Sequence, residues 1–220
     1  MFPLINSFMK KILLITFLLL QISVYSQNNP RWSFGIEYST DNLFFSDERA
    51  GIDYIQMKGA NALEVEFDQS NYSLGLTTNY YFGEKLAVSS GFLYSKKDFT
   101  GTYNDCILCN VLSSSIPEII QQRFLVVPIS INYSLLTGKL KPVIIGGLKN
   151  NFEIKNDLDT ISKGYFLEAF IGASIYYEFI KKLEAGIGYN YQAAISDLYK
   201  TDEFNLRTNS FSFRINYLFN

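Results

Sequence analysis

The 220-residue chain contains no histidine. That absence removes the commonest general base, the commonest metal ligand and every Ser-His or Cys-His nucleophile pair, so enzymatic chemistry is disfavoured from the start. Charge is scarce and balanced: 19 Lys and Arg stand against 21 Asp and Glu, giving a net charge of −2, with no basic excess to suggest a nucleic-acid partner. Cysteine occurs twice and tryptophan once. No cofactor is expected, and nothing in the composition suggests a second core.

What the chain has in quantity is aromatic residues, 16 Tyr and 19 Phe, in a sequence rich in strand formers but not continuously apolar. The exception is near the N-terminus. Met9-Lys10-Lys11 precede the apolar run Ile12 to Leu20, followed by Gln21 to Gln27. This is the positive, apolar, small-residue order of a secretory signal peptide, residues 1–26, cleaved between Ser26 and Gln27. The run falls short of the about 20 residues a transmembrane helix needs. No cysteine follows, so it is not a lipoprotein leader. Residues 27–220 then form the exported domain, and loss of Lys10 and Lys11 takes the net charge from −2 to −4.

From Trp32 onward the dominant period is two. In Leu183 to Ala193 every odd position is apolar or aromatic and the even ones are Glu184, Gly186, Gly188, Asn190 and Gln192. Successive strand side chains face opposite ways, so one face is greasy and the other polar or tiny. The division repeats in Trp32–Thr40, Tyr72–Phe82, Leu86–Lys97, Arg123–Leu135, Pro142–Phe152, Tyr165–Phe179 and Ser210–Phe219, which makes eight expected strands. Their connections alternate. Gly83-Glu84-Lys85, Thr137-Gly138-Lys139 and Lys181-Lys182 suit tight hairpins, whereas about Asp41–Asn71, Asp98–Gln122, Glu153–Gly164 and Ile195–Leu206 are long. Short turns at one end and long loops at the other point to an all-β, eight-stranded, antiparallel, up-and-down transmembrane β-barrel of a Gram-negative outer membrane. Strands of this length cross a bilayer when tilted, and closure leaves no edge. Eight strands enclose room only for side chains, so no open channel is expected.

A soluble barrel would turn its apolar face inward, whereas the membrane reading turns it outward. The face opposite the large residues carries Gly35, Gly75, Gly91, Gly147, Gly172, Gly186 and Gly188, which suits a crowded lumen. The same face holds Glu37, Lys149, Glu168, Glu178, Glu184 and Arg214, an expected lumen ion network in which Arg214 pairs with one or more glutamates. The alternative is a water-solvated set without fixed partners. Tyr80, Tyr81, Phe82, Tyr133, Tyr177, Phe179, Tyr217 and Phe219 lie where an interfacial girdle is expected.

Arg123-Phe124-Leu125-Val126-Val127-Pro128-Ile129-Ser130-Ile131-Asn132-Tyr133, followed by Gly138-Lys139-Leu140-Lys141-Pro142-Val143-Ile144-Ile145-Gly146-Gly147, resembles the Bacteroidetes outer-membrane β-barrel domain often labelled PorT-like. The resemblance covers the mature chain in pattern and this hairpin in specific residues. It implies an outer-membrane location and a bulged or locally unpaired site at Pro128. The C-terminal strand resembles an outer-membrane assembly signal, departing from it in that Asn220 follows Phe219. Fold and location are implied more than activity.

Cys106 and Cys109 form a C-x-x-C in the second long loop, read as a local disulfide in an oxidising compartment because neither a βαβ redox setting nor two further zinc ligands are evident. The carboxylates of Asp47-Glu48, Glu64 with Glu66 and Asp157 with Asp159 read as solvated loop charge. Val111, Leu112, Ile116, Ile119 and Ile120 make that second loop unusually apolar, as if it folds over the barrel mouth, contacts a partner or belongs to an earlier start of the fourth strand. The function this supports is a non-enzymatic outer-membrane barrel, structural or accessory to secretion or surface binding through its long loops. Its expected partners are outer-membrane lipid, the barrel-insertion machinery and an unidentified protein or surface ligand. A soluble periplasmic ligand-binding barrel is the alternative, and a membrane-embedded lipid-modifying or proteolytic enzyme stands behind it.

Overall fold

A computed structural model describes residues 31–45, 53–56, 62–104, 116–200 and 206–219. The expected leader and the Cys106/Cys109 pair lie outside the described residues. In chain order the strands are β1 (Arg31–Phe45), β2 (Asp53–Gln56), β3 (Ala62–Glu66), β4 (Asn71–Tyr81), β5 (Leu86–Lys96), β6 (Phe99–Asn104), β7 (Glu118–Ile120), β8 (Gln122–Ser134), β9 (Leu140–Asn156), β10 (Tyr165–Ile180), β11 (Leu183–Ala194) and β12 (Leu206–Phe219).

Eight of these close a barrel in the order β1-β12-β11-β10-β9-β8-β5-β4, every pair antiparallel and the ring closed by the β1–β12 seam. The short turns behave as their residues require. Gly83 and Gly138 sit at φ 137° and 128°, a backbone region that L side chains avoid, and Lys182 adopts φ 74° in the two-residue turn between β10 and β11.

The large apolar side chains point out of the barrel. Trp32, Phe34, Ile36 and Tyr38 of β1 are exposed while Ser33, Glu37, Ser39 and Asp41 on the alternate phase are buried. This settles which face looks where: the soluble, apolar-inward reading fails over the spanning region. The small lumen residues permit close strand contact. A methyl group on Gly75 would lie 2.0 Å from the Phe92 carbonyl oxygen, and one on Gly147 would lie 2.2 Å from that of Ile129.

Pro128 leaves β5 and β8 unpaired at Gly91 and Phe92 against Val127 and Pro128, with Ser90↔Ile129 below and Leu93↔Val126 above in unchanged register. It is a local gap, not a bulge.

Two features depart from the sequence reading. The first two long connections hold strands: β2, β3, β6 and β7 form a separate sheet in the order β2-β3-β6-β7. Its β6–β7 ladder (Phe99↔Ile120) continues the β5–β8 ladder beneath it (Lys96↔Arg123). Ile119 and Ile120 belong to this sheet, not to an earlier start of β8. In addition, β1, β9 and β12 run further at the loop end than their alternation suggested. The reason is a change on the inner face. Toward the loop end Leu43, Leu93, Phe124, Val126, Phe166 and Leu206 point inward and are buried, so the inward phase turns apolar there and the alternation stops being readable.

Candidate functional site

The lumen is built in layers, each positioned by inward residues of several strands. At the turn end an open vestibule of about 460 Å³ is lined by Tyr81, Glu84, Ser134, Thr137, Lys139, Lys141, Glu178 and others. Above it Glu184 accepts hydrogen bonds from Lys141 Nζ at 3.0 Å, Asn216 Nδ2 at 3.1 Å and Tyr81 Oη at 3.4 Å, beside a cavity of about 20 Å³ with room for roughly one water.

The next layer pairs Arg214 with Glu37, directly opposite one another across the β1–β12 seam. The guanidinium also donates to Tyr176 Oη at 2.9 Å. Higher still, Asp41 accepts from Ser73 Oγ at 2.6 Å, from Ser39 Oγ at 3.0 Å and from Ser210. Nearer the turn end Ser33, Asn79, Ser89 and Asn132, on neighbouring β1, β4, β5 and β8, form a side-chain ladder. A buried carboxylate is tolerable only when it is ion-paired or hydrogen-bonded, and each of these is.

Beneath the loops Lys97 Nζ meets Glu168 Oε1 at 2.8 Å while Asn151 Nδ2 donates to Glu168 Oε2 at 2.9 Å. Lys97 also stands 5.4 Å over the Phe166 ring. Over this layer lies an apolar plug: Leu93, Phe124, Val126 and Phe166 from the walls, Leu158 and Ile161 from the β9–β10 loop, Leu198 and Tyr199 from the β11–β12 loop, and Ile55, Leu63 and Val65 from the upper sheet. Phe124 and Phe166 touch edge to face at 5.3 Å between centroids. Burial raises the pKa of the Tyr199 phenol, whose oxygen accepts a hydrogen bond from Gln122 Nε2.

The structure therefore distributes the six charged residues singled out from the sequence instead of joining them in one network. Arg214 joins Glu37, Glu184 takes Lys141 and Glu168 takes Lys97. Lys149 lies over the Phe170 ring at 5.6 Å, and Glu178 accepts the Lys182 N–H at the turn, away from the buried layers. Asp41, Lys97 and Lys141 were missed as lumen residues. Parity could have found them: each shares the phase of a lumen series already read, Asp41 with Glu37 and Ser39, Lys97 with Ser95, Lys141 with Val143. No group of three or more Cys, Asp or Glu among the described residues is arranged to hold a metal ion.

The family described as "Outer membrane protein beta-barrel domain" matches residues 12–219. The chain belongs to this family. Membership and the closed eight-stranded architecture together place it in the outer membrane. Among solved structures, Neisserial surface protein A (NspA) aligns at 13% identity over 84% of this chain and 96% of its own, with a TM-score of 0.54, a likeness of fold alone. Ail of Yersinia pestis aligns at 12% identity over 87% of this chain and 99% of its own, TM-score 0.48. For OprG from Pseudomonas aeruginosa the values are 11%, 89%, 98% and 0.47. No curated protein matches the chain.

Proposed function

We propose that this family member is a non-enzymatic outer-membrane barrel that passes no solute and works from its outer side, as a structural or accessory element whose ordered loop sheet meets a protein or surface ligand. The observation that carries the reading is the filled lumen: three ionic layers capped by an apolar plug that continues into the upper sheet. A barrel spent on transport has no use for such a cap, whereas a display scaffold needs its loops held rigidly over the mouth. The reading includes export by the 1–26 signal peptide and assembly through the C-terminal strand. It also includes kinship with the PorT-like Bacteroidetes barrels, supported by the Arg123–Gly147 hairpin.

The test is conductance. The purified barrel in planar bilayers is expected to give no stable current steps. Regular, reproducible steps would make it a pore and overturn the reading.

A further inference from the structure

We infer that one side of the barrel carries a docking site for the phosphorylated headgroup of an outer-leaflet glycolipid, built from Lys96, Arg123 and Lys155. The three are register partners on consecutive strands, Lys96↔Arg123 and Arg123↔Lys155, and all face outward. A one-residue shift in the β8–β9 ladder beside Arg123 brings Lys155 into this row. Adjacent strands are about 5 Å apart, so the three cations span about 10 Å.

Their height gives the row its meaning. Directly below on the same outward face are Tyr94, Leu125 and Phe152, 39%, 39% and 45% exposed, with Tyr72 beside Lys96 in the row and its ring 6.3 Å from that of Tyr94. On the loop side the chain just before Tyr72 and Arg123 is polar, with Asp68, Gln69 and Gln121. The row therefore lies where the outer surface changes from apolar to polar, the level that lipid phosphates occupy.

The cations are positioned without being fully used. Asp98, almost completely buried, reaches Lys96 Nζ at 3.4 Å and also holds Arg123. Lys96 Nζ donates to the Ser70 carbonyl at 3.0 Å, and Lys155 Nζ to Gln121 Oε1 at 2.9 Å with Asp157 at 3.8 Å. Among the described residues the Arg123 guanidinium uses only Nη1, toward Asp98 and the Gln122 carbonyl, which leaves Nε and Nη2 as a fork for a phosphate. Three cations against one buried and one peripheral carboxylate leave a net positive patch, complementary to a phosphomonoester anchored by acyl chains that lie along Tyr94, Leu125 and Phe152. Both parts of the ligand are needed, so a free phosphate is not the occupant.

The test uses the full barrel purified from outer membranes and placed in phosphatidylcholine nanodiscs containing lipid A with its phosphates or the dephosphorylated form, with retained lipid counted by native mass spectrometry. The phosphorylated lipid is expected to be retained at least about tenfold better, the factor a single charge-assisted contact supplies. The K96Q/R123Q/K155Q chain is expected to lose that preference, and a K163Q/K200Q control to keep it. Arg123 also braces Asp98, so K96Q/K155Q serves if the triple variant does not fold, with a loss of at least about threefold. Equal retention of the two lipids by the unaltered chain, an unchanged preference in the folded variants, or displacement of the lipid by millimolar inorganic phosphate would each overturn the proposal.

Discussion

Lys97 and Glu168 meet at 2.8 Å from different walls of the barrel, with side chains 3% and 0% exposed. The pair sits between the polar lumen and the apolar plug, so neither charge has an alternative partner in solvent. Breaking such a pair from one side leaves the other ion buried and uncompensated, which costs about 3–5 kcal/mol, whereas removing both ions together is often close to neutral. Glu168→Gln and Lys97→Met are therefore each expected to lower the urea midpoint of the refolded barrel sharply, and K97M/E168L to recover most of the loss. A double variant no more stable than the worse single one would show that the pair has no such coupling.

Gly186 leads to a second expectation. The Tyr176 ring lies directly over it, so that a methyl group there would sit 2.3 Å from Tyr176 Cδ1, and the phenol beyond the ring receives the Arg214 N–H. Gly186→Ala must push the ring away and loosen its grip on Arg214. Overpacking of this kind costs about 1–3 kcal/mol. Gly146, where a methyl group would meet only the Phe170 carbonyl oxygen at 3.8 Å, is the matched control. The comparison is made in urea titrations read by heat-dependent gel mobility, with Gly146→Ala expected to stay near the parent.

The barrel was legible because lipid imposes a strict rule on every residue that faces it. Trp32 to Tyr38 and Phe211 to Tyr217 alternate without exception, and the turn glycines mark where the alternation stops. Above the membrane the rule lapses. Leu43 and Leu206 point inward while Asn42 and Arg207 do not, so β1 and β12 read as ending several residues early. The loop sheet stayed hidden for a different reason: β2, β3 and β7 are 3–5 residues long, too short to display a period, and their pairing is set by the β4–β5 hairpin and β8 beneath them. Among the lumen charges, parity placed Glu37 and Arg214 on one face, and their opposition in register follows from the β1–β12 seam. Asp41 was lost to the first long connection, and Lys97, the last residue of the expected third strand, was not followed along the inward phase of Ser95.

The cap should respond to acid at Asp68. Hydrogen bonds from Thr100 Oγ1 at 2.6 Å and Gln69 Nε2 at 3.0 Å hold its pKa below the ordinary value of 3.8. Because the folded value is the lower one, the link contributes stability above pH 3.8 and loses it as pH falls through the folded pKa. Amide exchange at residues 64–68 and 99–102 is expected to accelerate at the acid end of a titration from pH 6 downward, and Thr100→Val to remove that pH-dependent part. The carboxylate is exposed, so the effect is local fraying of the upper sheet, not unfolding of the barrel.

Phe124 tests whether the plug is needed to hold the loops down. Its ring is fully buried, contacts Phe166 edge to face, and stands on β8 in register with Ser95 of β5 and Glu153 of β9. Phe124→Ala removes an anchor that touches both wall and cap, at a cost of about 3–5 kcal/mol in a site with little room to collapse. The ionic layers lie below it, so the loss falls on the cap. Limited trypsin digestion is expected to cut F124A within 195–206 or 153–164, at Lys155, Lys163 or Lys200, faster than the parent, while the membrane-embedded core stays intact and planar bilayers still carry no current. Current steps in F124A would instead make the plug the sole barrier to solute, and the ionic layers beneath it would have to be permeable.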